Sequence, residues 1–148
     1  MKIYFDVCCL NRPYDDQTQD RIHLEAEAII GILRHIELNE WIWVSSGVVN
    51  YEISKTQNNE RKGRLESMAR WASEFVEVNE DIFIRAKKIQ EFGIKEYDAL
   101  HIACGEYGRA DVFLSTDDKL LRIAGKNIKK LKIKVINPLI WLQKMVKL

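Results

Sequence analysis

Residues 96–118, "EYDALHIACGEYGRADVFLSTDD", decide how this chain folds. From Glu96 to Tyr107 the spacing predicts a helix whose residues Ala99, Leu100, Ile102 and Ala103 face inward, and Gly108 closes it. "DVFLST" then reads as a short buried strand, and "DDKLLRIA" opens another helix. Helix, strand and helix follow one another with little room between them. That rhythm belongs to α/β layers, and it leaves Asp98 one turn into a helix and Asp118 just past a strand end.

The same alternation extends in both directions. "KIYF" reads as a strand ending at Asp6, followed by a loop through Asn11, Pro13, Asp15 and Asp16. Beyond Thr18, apolar Ile22, Ala26, Ile29, Ile30, Leu33 and Ile36 recur at helical spacing. "WIWVSS" is a second strand, and Ser45 or Ser46 can cap a helix that begins near Val48 and carries Glu52. A helix over 59–72 with Leu65, Met68, Ala69 and Ala72 on one face precedes a third strand, "FVEV". Asn79 starts the next helix ahead of Glu80 and Asp81, and Gly93 ends it. "KIKVI" is a fifth strand, Asn137-Pro138 breaks it, and "LIWLQKMV" closes the chain as a helix. Parallel neighbours need crossover connections, so the pattern predicts a mostly parallel sheet, and ligands of such sheets bind beyond the carboxyl ends of the strands.

Composition bounds the rest. The 148 residues suit one domain, with 47% hydrophobic and 30% charged residues and few Gly or Pro to favour disorder. Asp6 interrupts the first apolar run, so no secretory signal is read there, and no apolar stretch is long enough for a bilayer. An odd count of three cysteines suits a reducing compartment. A cytoplasmic protein is expected. Nine basic residues and no acid lie from Lys119 to the end (Lys119, Arg122, Lys126, Lys129, Lys130, Lys132, Lys134, Lys144 and Lys147), so a total of +1 leaves −8 on the first 118 residues. Such a body can hold cations beside a polyanion, although a solvated basic face serves solubility equally well.

Asp6 is the anomaly in its apolar run, because stripping water from an unpaired carboxylate is expensive. Its place at a strand's carboxyl end matches that of Asp118, with Thr116 alongside; Glu52 and Asp98 stand near helix starts in apolar settings. Read singly, each has an ordinary explanation: Asp6 as a turn cap, Glu52 and Asp98 as members of ion pairs, Asp118 as an N-cap. Four acids on one edge repel unless a cation joins them, and hard oxygen ligands favour Mg²⁺ or Mn²⁺.

In order, "YFDVCCLNRP", "VSSGVVNYEI", "EYDALHIACGEYGRADVFLSTDD" and "VINP" resemble the PIN-domain family over nearly the whole chain. The resemblance implies a three-layer α/β/α sandwich with a mostly parallel sheet and a metal-dependent nuclease, usually acting on RNA. By position it implies Asp6, Glu52, Asp98 and Asp118 as the acids that hold Mg²⁺ or Mn²⁺, with Thr116 as polar partner. Asp117, beside Asp118, competes for the fourth place, and Thr-x-Asp spacing favours Asp118. Many relatives are toxins of toxin–antitoxin pairs and form homodimers. An endoribonuclease is therefore expected, with RNA held by Lys119, Arg122 and Lys126 or by the region from Arg61 to Arg70.

Other chemistries fit poorly. A phosphatase using Asp6 as nucleophile lacks an acid at position 8, and a receiver domain lacks its acceptor aspartate after the third strand. His101 and Cys104 have no second pair to complete a zinc site, so a packed histidine and a buried thiol are read there. No glycine-rich phosphate loop is present. The remaining alternative is a non-catalytic nucleic-acid- or partner-binding module on the same fold.

Overall fold

A computed structural model describes residues 1–146; Lys147 and Leu148, including the last of the nine basic residues, lie outside the described part. Five strands, β1 (Lys2–Phe5), β2 (Ile42–Ser46), β3 (Glu74–Val76), β4 (Val112–Leu114) and β5 (Lys134–Ile136), form one sheet in the order β3-β2-β1-β4-β5. Every pairing is parallel. β1 is central, with Ile3 opposite both Trp43 and Val112. Its Ile3, Tyr4 and Phe5 are buried although alternate residues point to opposite faces, so helices cover the sheet on both sides. Eight α-helices do so among the described residues: α1 (Val7–Asn11), α2 (Asp20–Glu37), α3 (Gly47–Ser54), α4 (Asn59–Ala69), α5 (Glu80–Gln90), α6 (Glu96–Tyr107), α7 (Asp118–Lys126) and α8 (Pro138–Val146). The parallel sheet is the one that the pattern predicts, and the α/β/α arrangement is the one that the family resemblance implies. None of these helices is long and apolar enough to cross a membrane.

Several boundaries follow directly from side-chain chemistry. Ser46, rather than Ser45, caps α3 by accepting from the backbone N–H groups of Val48 and Val49. Asn58 and Asn79 cap α4 and α5 in the same way. Pro138 sits in the first turn of α8, where its missing N–H costs nothing, and Asn137 Oδ1 accepts from Leu139 N. Gly93, at φ +94°, takes the left-handed conformation that ends the turn after α5. Gly108 has a steric reason instead: a Cβ there would stand 2.8 Å from Val76 and 2.9 Å from Val44, so a glycine lets the end of α6 lie on the sheet.

The expected loop after Asp6 is instead a helix, α1, followed by one 3-10 turn over Arg12–Tyr14. One turn is too short for apolar periodicity to register, and burial of Val7, Cys9 and Leu10 stabilises it. α4 stops at Ala69, three residues early, and β3 lies slightly ahead of "FVEV" because its register is set by pairing Val44 with Glu74 and Ser46 with Val76.

Candidate metal centre

The carboxyl edge of the sheet collects the acids. Asp6 leaves β1 with its backbone N–H bonded to Leu114 O at 2.9 Å, and its side chain is 6% exposed. Ser115 donates to Asp6 Oδ2 at 2.8 Å, and the same hydroxyl accepts from Asp117 N at 3.1 Å. Burial raises the Asp6 carboxyl well above the usual carboxylate range, and the nearby charges of Cys8 and Asp98 push the same way. Without a cation this charge is poorly compensated.

Glu52 approaches from α3, part-exposed, and its Oε1 lies 3.2 Å from His101 Nε2. His101 is fully buried on α6, and its Nδ1 lies 2.7 Å from Tyr4 OH, which is itself 2.7 Å from Ser46 Oγ. Counting donors orders the chain. Ser46 already accepts from two backbone N–H groups, so its hydroxyl donates to Tyr4, Tyr4 donates to His101 Nδ1, and His101 Nε2–H donates to Glu52. The buried histidine expected from sequence is indeed packed, yet it also orients a carboxylate. Ligand atoms of Asp6, Glu52 and His101 all lie within 4.8 Å of one another.

Asp98, half-buried on α6, is also raised above the ordinary range, first by burial and then by the charge of Asp117. Asp98 and Asp117 line one small cleft with Lys95 and Lys119. Asp118 behaves differently. It is exposed, and Arg21 holds it with Nη1 to Oδ2 at 2.7 Å and Nη2 to Oδ1 at 2.6 Å, which lowers its pKa. Of the two neighbouring acids the structure sets Asp117, in the extended N-cap position, beside Asp98, and turns Asp118 to Arg21. Asp117 also caps α7, accepting from Lys119 N and Leu120 N.

Thr116, the expected polar partner, meets Arg21 through its backbone. Its carbonyl accepts from Arg21 Nη2 at 3.3 Å, and the hydroxyl that holds Asp6 belongs to Ser115. The hydroxyl-x-Asp pattern is met one residue earlier, by Ser115-Thr116-Asp117. That alternative was visible in "FLSTDD". His101 also carried a signal, since it lies three residues after Asp98 and so on the same side of α6.

Behind Asp118 lies a second network that sequence reading missed. Glu25 of α2 is 1% exposed and accepts from Arg12 Nε at 2.8 Å, Arg21 Nε at 3.2 Å and Asn137 Nδ2 at 2.6 Å. Asp15 turns to Arg12 and Arg61, away from the acids. Arg61 is thereby occupied with Asp15, Asn11 and the Tyr14 carbonyl. Lys119, Arg122 and Lys126 are exposed along α7 and have no ion-pair partner among the described residues.

The donor set fits a hard divalent cation. Asp6 and Glu52 supply carboxylate oxygens that lie within 4.8 Å of each other, near the roughly 4.2 Å that two opposed Mg²⁺–oxygen bonds span. His101 has both ring nitrogens engaged, which makes it an orienter of Glu52 rather than a free nitrogen ligand.

Fold and site together define a parallel α/β protein with an acidic cleft at the carboxyl edge of its sheet. The chain belongs to the PIN domain family, whose model matches residues 3–126, as its sequence motifs lead one to expect. Among solved structures, VapBC2 from Rickettsia felis bound to a DNA fragment from their promoter is similar in fold. It matches with a TM-score of 0.55 at 11% identity, covering 93% of this chain and 98% of that one. No curated protein sequence matches the chain significantly.

Proposed function

We propose that this protein is a Mg²⁺- or Mn²⁺-dependent endoribonuclease that hydrolyses RNA phosphodiester bonds, with residues 1–148 acting as one nuclease domain. Membership of a family whose domains are generally nucleases supports the reading. The observation that carries it is that Asp6 and Glu52 bring carboxylate oxygens within 4.8 Å of each other at the carboxyl edge, while Asp98 stands close enough to feel the charges of Glu52 and Asp117 and to act on Asp6, with Asp6 and Asp98 both raised by burial and by neighbouring charge.

A bound cation of this kind supplies Lewis acidity toward water and the scissile phosphate. Asp6 and Asp98 are its principal holders in this reading, with Glu52 and Asp117 completing the shell. Ser115 fixes one oxygen of Asp6 and leaves the other for the cation. His101 keeps Glu52 aimed, and Glu52 is open enough to solvent to accept the proton of the attacking water. Lys119, Arg122 and Lys126 hold the RNA backbone on α7, with Lys119 nearest the acids.

The likeness to a VapBC2 complex supports a further step, that this chain is the toxin of a toxin–antitoxin pair. Its partners are then RNA, an antitoxin protein and a second copy of itself. Three free cysteines support a cytoplasmic setting.

The test is a cleavage time course on mixed structured and single-stranded RNA, with Mn²⁺ or Mg²⁺ against EDTA and wild type against Asp98→Asn. Metal-dependent fragments absent from the variant are expected. Absence of both cleavage and metal binding in the wild type makes the non-catalytic binding module the better reading.

A further inference from the structure

Beside the acids stand two tyrosines that the chemistry above does not use. Tyr51 of α3 immediately precedes Glu52, and Tyr97 of α6 immediately precedes Asp98. Their rings stack across the two helices with centroids 6.1 Å apart and planes 13° from parallel. They are nonetheless 47% and 48% exposed, so the pair does not belong to the core. Lys55 Nζ lies 4.9 Å from the Tyr51 ring centre, and Lys95 is exposed two residues before Tyr97.

We propose that Tyr51 and Tyr97 clamp one unpaired nucleobase of the RNA at the mouth of the acidic cleft. The proposal rests on the ribonuclease reading. Bases stack about 3.4 Å apart along a strand, so a base between two rings holds them about 7 Å apart face to face; the present pair, with centroids 6.1 Å apart, has to slide and part to admit one. Both rings are solvent-facing and turn on two side-chain torsions, which permits that opening. Every base has an aromatic face, so the clamp selects for an unpaired base over a paired one and tolerates different bases. Lys55 and Lys95 stand where the flanking phosphates pass.

The experiment measures binding of a single-stranded RNA oligomer carrying 2-aminopurine, and of its duplex, to wild type, Tyr51→Leu/Tyr97→Leu and Tyr51→Phe/Tyr97→Phe in EDTA. Circular dichroism and sedimentation accompany each protein. Wild type is expected to quench the fluorophore and to prefer the single strand, the leucine variant to bind about ten-fold more weakly without quenching, and the phenylalanine variant to match wild type. Unchanged affinity and quenching in the folded leucine variant overturn the clamp and leave the nuclease standing. Loss of self-association in that variant, with RNA binding intact, also overturns it and makes the pair a contact between copies of the chain. Failure of wild type to bind the single strand, with metal-dependent cleavage intact in the time course above, overturns the clamp alone; loss of cleavage and metal binding as well removes the ribonuclease reading with it.

Discussion

Arg21 holds Asp118 through two parallel contacts, 2.7 and 2.6 Å long, while Asp117 next to it turns toward Asp98. Neighbouring acids thus have separate tasks. Arg21 also reaches the Thr116 carbonyl and Glu25, so it ties the start of α7 to α2.

Asp117→Asn should therefore reduce metal-dependent cleavage by more than about 100-fold, above the range for indirect orienting groups, whereas Asp118→Asn should keep most of the activity. Single-turnover cleavage of one RNA by both variants decides the matter. If Asp118→Asn proves the more damaging, the assignment of the fourth acid reverses.

Tyr4→Phe removes the hydroxyl that links Ser46 to His101, and leaves a buried ring nitrogen without its donor. We expect a loss of about 1–3 kcal/mol in stability from the unpaired group and about ten-fold in metal affinity as His101 ceases to fix Glu52. Calorimetric titration with Mn²⁺, run beside urea unfolding, separates the two effects. Affinity equal to wild type would confine the chain of hydrogen bonds to a structural part.

The pH dependence of the metal-free protein carries a sign. Asp6 and Asp98 bind protons more tightly in the folded state, mainly through burial, so the native chain holds more protons than the unfolded one above the ordinary value of 3.8. Their contribution to stability is complete below that value and is lost as pH rises through the elevated folded values. Asp98→Asn removes one such penalty. In EDTA its urea midpoint should gain on wild type as pH rises from 3.8 through the elevated Asp98 value, and Mn²⁺ should stabilise wild type more than the variant. Midpoints that run parallel across this range would contradict the raised Asp98.

Glu25 is buried against Arg12, Arg21 and Asn137, so Glu25→Ala leaves two guanidinium Nε–H groups and an amide without that acceptor. The expected loss is about 3–5 kcal/mol, as for other broken buried pairs, and Glu25→Gln should lose less because one acceptor oxygen remains. Denaturant unfolding of both variants gives the comparison.

Sequence by itself determined the alternation of strands and helices, because apolar periodicity and capping residues such as Asn79 act over a few neighbours. It also singled out Asp6, Glu52 and Asp98 as candidates, since a carboxylate in an apolar run is conspicuous wherever it later packs. Only the tertiary structure gives Asp117 and Asp118 different surroundings. That difference depends on Arg21, 97 residues away from Asp118, and on Ser115 meeting Asp6 across the adjacent strand. The link from Ser46 through Tyr4 and His101 to Glu52, and the stacked Tyr51 and Tyr97, join α3 to residues of β1 and α6 in the same way. Local physics fixes which residues form each element. The direction of a side chain at an element's end is set by whatever partner the fold brings within hydrogen-bond reach, and a linear pattern carries no record of it.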